Sequence, residues 1–149
     1  MNKPANPVET NDNLQEQAMQ RSNTDNAPRS AIHQTLYSAD TFVQHDYLAG
    51  KALPDIARPQ EGQINWLHFV GINDAALLKH ALEPYGIHEL VIEDILSRKQ
   101  RPKIEDYGNY VFTAAQVYHY TTTGKLHSDQ VYVIIGKDFV LSRSEEHTS

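Results

Sequence analysis

The chain has 149 residues, 13 Lys and Arg against 19 Asp and Glu, and no cysteine. That length supports one domain with a real core. The net charge of −6 speaks against a nucleic-acid surface, and the lack of cysteine excludes disulfides and zinc fingers. No run approaches the roughly 20 apolar residues of a membrane-crossing helix, and the polar N-terminus carries no signal-peptide core, so this stretch is expected to be soluble by itself.

Residues 1–30 are rich in Asn, Gln, Ser, Asp and Pro, with Leu14 and Met19 almost alone as large apolar residues. Such a stretch buries too little surface to offset chain entropy and is predicted to be a disordered tail, with at most a marginal helix near Leu14 to Arg21. Residues 32–49 read as two short strands around a turn at Ser38-Ala39-Asp40. Pro54, Pro59 and Gly62 mark a loop over residues 50–62. Ile64 to Val70 alternates, with Ile64, Trp66 and His68 on one face and Asn65, Leu67 and Phe69 on the other.

Asn73 then suits an N-cap, with Asp74 in the first turn of a helix carrying Leu77, Leu78, Ala81, Leu82 and Tyr85. Pro84 and Gly86 stop it. His88 to Ser97 is predicted as a second helix, with Leu90, Val91, Ile95 and Leu96 as its apolar stripe and Glu93 and Asp94 on an acidic face. Pro102 ends that helix, and Lys103 to Tyr120 reads as strand. Gly124 marks a turn. The near-continuous apolar run Gln130 to Ile135 reads as a strand covered on both faces, and Phe139 to Leu141 as the last strand. Strands, two helices, then strands imply an α+β or α/β layered domain with helices on a mixed sheet.

The final seven residues, Arg143 to Ser149, break this pattern. RSEEHTS continues no strand logic and looks like the translation of a common short-read sequencing adapter. The domain is therefore expected to occupy residues 31–142, and residues 143–149 to be a non-native tail.

The chemistry-bearing residues point away from an enzyme. Eight histidines are present, none in a His-x-x-x-His pair. His88-Glu89 begins like a zinc-protease helix, but Ile92 stands where the second His is needed. His88 is instead expected to cap its helix or the chain reversal before it, and His68 and His119 to be packing or surface residues. There is no phosphate loop and no nucleophile elbow, and Ser97 has no base beside it. Arg98, Lys99, Arg101 and Lys103 read as a solvated basic turn. Glu93 and Asp94, neighbours on a helix, point about 100° apart and do not chelate a metal by themselves.

One stretch carries a resemblance. Gly86, His88, Leu90, Glu93, Asp94, Ile95 and Leu96, followed by Gln100, Arg101, Pro102, Lys103, Ile104 and Glu105, form an ordered pattern similar to the CorA family of divalent-cation channels. The likeness extends over INWLHFVGIN, NYVFTAAQVYHY and DQVYVIIGKDFVL, roughly residues 64–142. Glu89 departs from the family's usual Pro, though both suit a helix's first turn.

The resemblance implies an incomplete N-terminal cytoplasmic domain of a Mg2+ or Co2+ channel, without its stalk and membrane helices. It implies a homopentamer in the inner membrane for the full-length parent. It also implies a regulatory Mg2+ on Asp94, with Glu93 beside it, shared with a carboxylate of the neighbouring subunit. Related ZntB-like zinc transporters share the architecture. A free-standing metal-sensing or protein-binding module is the alternative outside transport.

Overall fold

Alternating apolar residues in β3 (Ile64–Val70) send Leu67 and Phe69 to one side of a sheet, where they are 2% and 1% exposed. The same alternation in the other strands sets which face of the sheet is buried. The computed structural model describes residues 30–50, 52–97 and 100–145. Before β3 come β1 (Ala31–Tyr37) and β2 (Phe42–Leu48). After it come α1 (Ala75–Leu82), a 3-10 turn (Glu83–Tyr85) and α2 (Glu89–Ser97). The chain then runs through β4 (Lys103–Asp106), β5 (Tyr110–Tyr120), β6 (Leu126–Gly136) and β7 (Phe139–Ser144).

The strands form one seven-stranded sheet in the order β2-β1-β3-β7-β6-β5-β4. Every neighbouring pair is antiparallel except β3 and β7, which run parallel at the centre. The architecture is the expected mixed sheet with two helices packed on it. Both helices lie on the face that carries Ile32, Leu67, Phe69, Phe112, Tyr132, Ile134 and Leu141, and they cover it with Leu78, Leu82, Val91 and Ile95. The opposite face stays open: Trp66 is 43%, Ile135 51% and Phe42 67% exposed. The Gln130 to Ile135 run, apolar on both faces, is thus covered on one face only among the described residues. No helix among them is long and apolar enough to cross a membrane.

Buried polar groups in this core are paired, as their desolvation requires. Gln34, 1% exposed, donates to Ala57 O and Asn65 Oδ1 and accepts from the Tyr47 hydroxyl, while Asn65 donates to Tyr85 Oη. These bonds pin the loop at Ala57 and the 3-10 turn to the sheet.

Several expectations shift. The helix N-cap is Asp74, whose Oδ1 accepts from Leu77 N–H at 3.1 Å, not Asn73. In α2 the buried stripe is Val91, Ile92 and Ile95, while Leu90 is 57% exposed. Lys103 to Tyr120 is two strands, because the chain reverses at Gly108, whose φ of 82° lies in the left-handed region open to glycine. There Asp106 Oδ1 accepts from Gly108 N–H.

β6 begins four residues earlier than expected, and β7 continues past Ser142 through Arg143 and Ser144. Arg143 is 3% exposed and donates to Ile72 O, Ile95 O and Asn73 Oδ1. Ile95 O is one of the last carbonyls of α2, so the guanidinium donates to an acceptor at the helix C-terminus, where a positive charge is favourable. The expected disordered tail over 1–30 and the last residues, 146–149, lie outside the described residues, apart from Ser30.

Candidate functional site

His88 sets the start of α2. Its Nδ1 accepts from Leu90 N–H at 3.1 Å, its carbonyl accepts from Val91 N–H at 3.0 Å, and its own N–H donates to Tyr110 Oη at 2.9 Å. It is a cap, as its position before the helix predicts. From this fixed start the helix carries Glu93 outward to solvent and turns Asp94 towards β4, where its side chain is 25% exposed.

Asp94 does not face bare solvent. Lys103 Nζ lies 2.6 Å from its Oδ2, and Gln100 Nε2 donates to its Oδ1 at 3.0 Å. Lys103 also reaches Glu105 Oε1 at 3.2 Å, and its Nζ sits 5.5 Å from the centre of the Phe112 ring. The alternation of β4 explains the meeting: Lys103 and Glu105, two residues apart, share the helix face of the strand. The outer carboxylate oxygen of Glu105 accepts from Tyr107 Oη at 3.1 Å.

Gln100 is held in turn by Gln130. Gln100 N–H donates to Gln130 Oε1, Gln130 Nε2 donates back to Gln100 O, and Tyr132 Oη donates to Gln130 Oε1. The loop after α2 is thereby fastened to β6.

The electrostatics follow the contacts. Asp94 and, less strongly, Glu105 hold the Lys103 ammonium above its ordinary range against the opposing effect of burial. Burial first and the Glu105 carboxylate second raise the Tyr107 phenol.

Of the two predicted metal ligands, Asp94 turns to Lys103 and Gln100 while Glu93 is exposed. Among the described residues no group of three or more His, Cys, Asp or Glu side chains is arranged to hold a metal ion. Lys103, Gln100 and Glu105 are the residues that sequence reasoning missed as a unit. Their signal was present in the strand alternation, but the charges alone read as a solvated turn.

His33, His68, His119 and His127 lie on the open face of the sheet. His68 Nδ1 is 2.7 Å from Ser142 Oγ, and burial first, then the neighbouring His33, lowers its proton affinity. His119 and His127 face each other across β5 and β6, and Asp129 stands within 3.3 Å of both. As expected, His68 packs within the sheet and His119 lies at its surface.

Residues 61–149 match the family described as CorA-like Mg2+ transporter protein. A cobalt/magnesium transport protein, CorA, from Thermotoga maritima is 39% identical over 82 residues, which is 54% of this chain and 23% of that protein. The complete structure of the CorA magnesium transporter from Methanocaldococcus jannaschii superposes with a TM-score of 0.55 at 11% identity. That match covers 78% of this chain and 32% of the other. The full-length CmaX protein gives 0.54 at 13% identity over 83% of this chain and 37% of its own. At those identities the structures establish the fold alone. This chain spans about a quarter of the curated relative and about a third of each structure.

Proposed function

Because this chain belongs to the CorA-like Mg2+ transporter family, we propose that it is the N-terminal regulatory domain of a Mg2+ or Co2+ transport protein. The carrying observation is that the family match includes α2 and β4, where Asp94 is held half-buried at the domain surface. In this reading the parent is a homopentamer in the cell's inner membrane, the present domain is cytoplasmic, and the stalk and membrane helices follow it. The bond-making constellations of an enzyme play no part. Nothing among the matches favours the zinc-transporter alternative.

The donor chemistry of the site fits Mg2+ in kind, since carboxylate oxygens are what a hard cation prefers. It fits only in part by number, because one chain offers Asp94 without a converging Glu93. A regulatory Mg2+ would supply a positive charge joining Asp94 to a carboxylate of a neighbouring subunit. For its part, the chain holds Asp94 at a fixed position through the His88 cap and the Gln100–Gln130 bonds. Domains held together through Asp94 keep the pore closed, and loosening of that contact opens it, a population shift driven by differential binding.

The experiment is Asp94→Asn in the full-length parent, with flux measured against internal Mg2+. Inhibition weakens while transport persists, because a neutral amide is a poorer ligand for Mg2+. An unchanged inhibition curve rejects the role of Asp94.

The proposed end of the native sequence near residue 142 rests on the adapter-like RSEEHTS, and the fit of Arg143 in β7 stands against it. The source locus decides: genomic DNA that encodes RSEEHTS and then a natural stop removes the proposal, and a different sequence after residue 142, with a long amphipathic helix and two hydrophobic spans, supports both it and the transport reading.

A further inference from the structure

Both oxygens of the Asp94 carboxylate are already occupied from within the chain, Oδ1 by Gln100 and Oδ2 by Lys103. The ammonium 2.6 Å from Oδ2 takes one of that oxygen's lone pairs and repels a divalent cation approaching the other. We propose that Lys103 is a built-in counter-ion on Asp94, and that metal binding at this site is an exchange in which the ammonium gives way to the divalent cation. This rests on reading Asp94 as a Mg2+ ligand.

Three features make the exchange possible without expelling a charge into unpaired isolation. Glu105 Oε1, 3.2 Å from Lys103 Nζ, is a second resting place for the same ammonium. Tyr107 holds the other oxygen of Glu105, so that resting place is fixed in advance. The lysine head lies against the Phe112 ring, which confines its movement to a short swing between two carboxylates. The side chains of Lys103 and Asp94 are 27% and 25% exposed, so water and salt screen the pair less than a fully exposed one.

The consequence concerns the metal-free state. Asp94 is then neutralised inside its own subunit rather than left as a bare negative charge. Release of the cation therefore returns the carboxylate to Lys103, and subunit repulsion is not needed to loosen the contact. The lysine also sets the metal concentration at which the exchange occurs.

The test uses the full-length parent, in which the neighbouring subunit's carboxylate is present, with Mn2+ as a paramagnetic probe for the Mg2+ position and circular dichroism to follow folding. Lys103→Met keeps an unbranched side chain on Phe112 and removes the ammonium. It is expected to bind Mn2+ roughly tenfold tighter than the unsubstituted parent, and the gain is expected to vanish in Lys103→Met with Asp94→Asn. Glu105→Gln, which removes the resting place and leaves Lys103 to Asp94 alone, is expected to bind severalfold more weakly, so the proposal stays testable if the methionine variant does not fold. Equal Mn2+ affinity in the folded Lys103→Met and unsubstituted parents overturns it, as does a gain that survives Asp94→Asn. Flux separates the two readings. An Asp94→Asn parent with unaltered Mg2+ inhibition defeats the regulatory role and leaves the exchange measured by Mn2+ binding intact. A parent regulated through Asp94 but indifferent to Lys103→Met defeats the counter-ion alone.

Discussion

Ile134 and Ile135 are adjacent in β6 and differ mainly in which face of the sheet they occupy, so they measure how each face is covered. Ile134 is 1% exposed beneath the helices, and Ile135 is 51% exposed on the open side. Truncating a fully buried isoleucine to alanine costs about 2–5 kcal/mol through lost transfer energy and the cavity left behind. Ile134→Ala should therefore lower the melting temperature by about 8–20 °C, taking roughly 4 °C per kcal/mol for a domain of this size. Ile135→Ala removes a side chain already half in water and should cost less than about 1 kcal/mol. It should also reduce binding of a hydrophobic dye and self-association, because it trims the open apolar face. Thermal melts read by circular dichroism, with light scattering on the same samples, give both numbers. Equal destabilisation by the two substitutions in a monodisperse monomer would refute the one-sided core. In a full-length parent whose later helices cover the open face, the cost of Ile135→Ala should rise towards that of Ile134→Ala.

Two further substitutions probe the histidines. His88→Ala should destabilise the chain by about 1 kcal/mol, measured by urea unfolding, because Leu90 N–H loses its acceptor at the start of α2. His68 has a lowered proton affinity in the fold, so below about pH 6.5 the unfolded chain takes up more protons there than the native one. Stability should accordingly fall as pH drops through that value, and His68→Gln should flatten the acid limb of the stability curve relative to the unsubstituted chain. An identical limb in both would mean that His68 is not responsible.

The strands and the helix order were legible because alternation and periodicity report burial directly, as Leu67 and Phe69 in β3 show. The α2 stripe was ambiguous for a physical reason: Leu90, Val91, Ile92, Ile95 and Leu96 surround much of the helix, so two neighbouring stripes fit, and the packing on the sheet selects Ile92 over Leu90. The candidate site was legible at Asp94 through its family pattern. Its neutralisation was not, since Lys103 meets Asp94 only after a turn and a change of element. Arg143 escaped for a similar reason: apolar patterning cannot reveal a buried guanidinium whose place depends on carbonyls from Ile72 and Ile95.

The single parallel pairing in the sheet also governs the order in which the chain can fold. β1, β2 and β3 form one antiparallel group and β4 to β7 another, each built from neighbours close in sequence. The two groups join only where β3 meets β7, and partners there such as His68 and Ser142 are 74 residues apart. Local hairpins form in microseconds, whereas so distant a closure must first overcome the entropy of the intervening loop. During synthesis both groups can begin to form early, but their junction must wait for the final strand. Until β7 emerges, the edge of β3 is an unsatisfied template, and it is the point at which a stalled or shortened chain would pair with another copy.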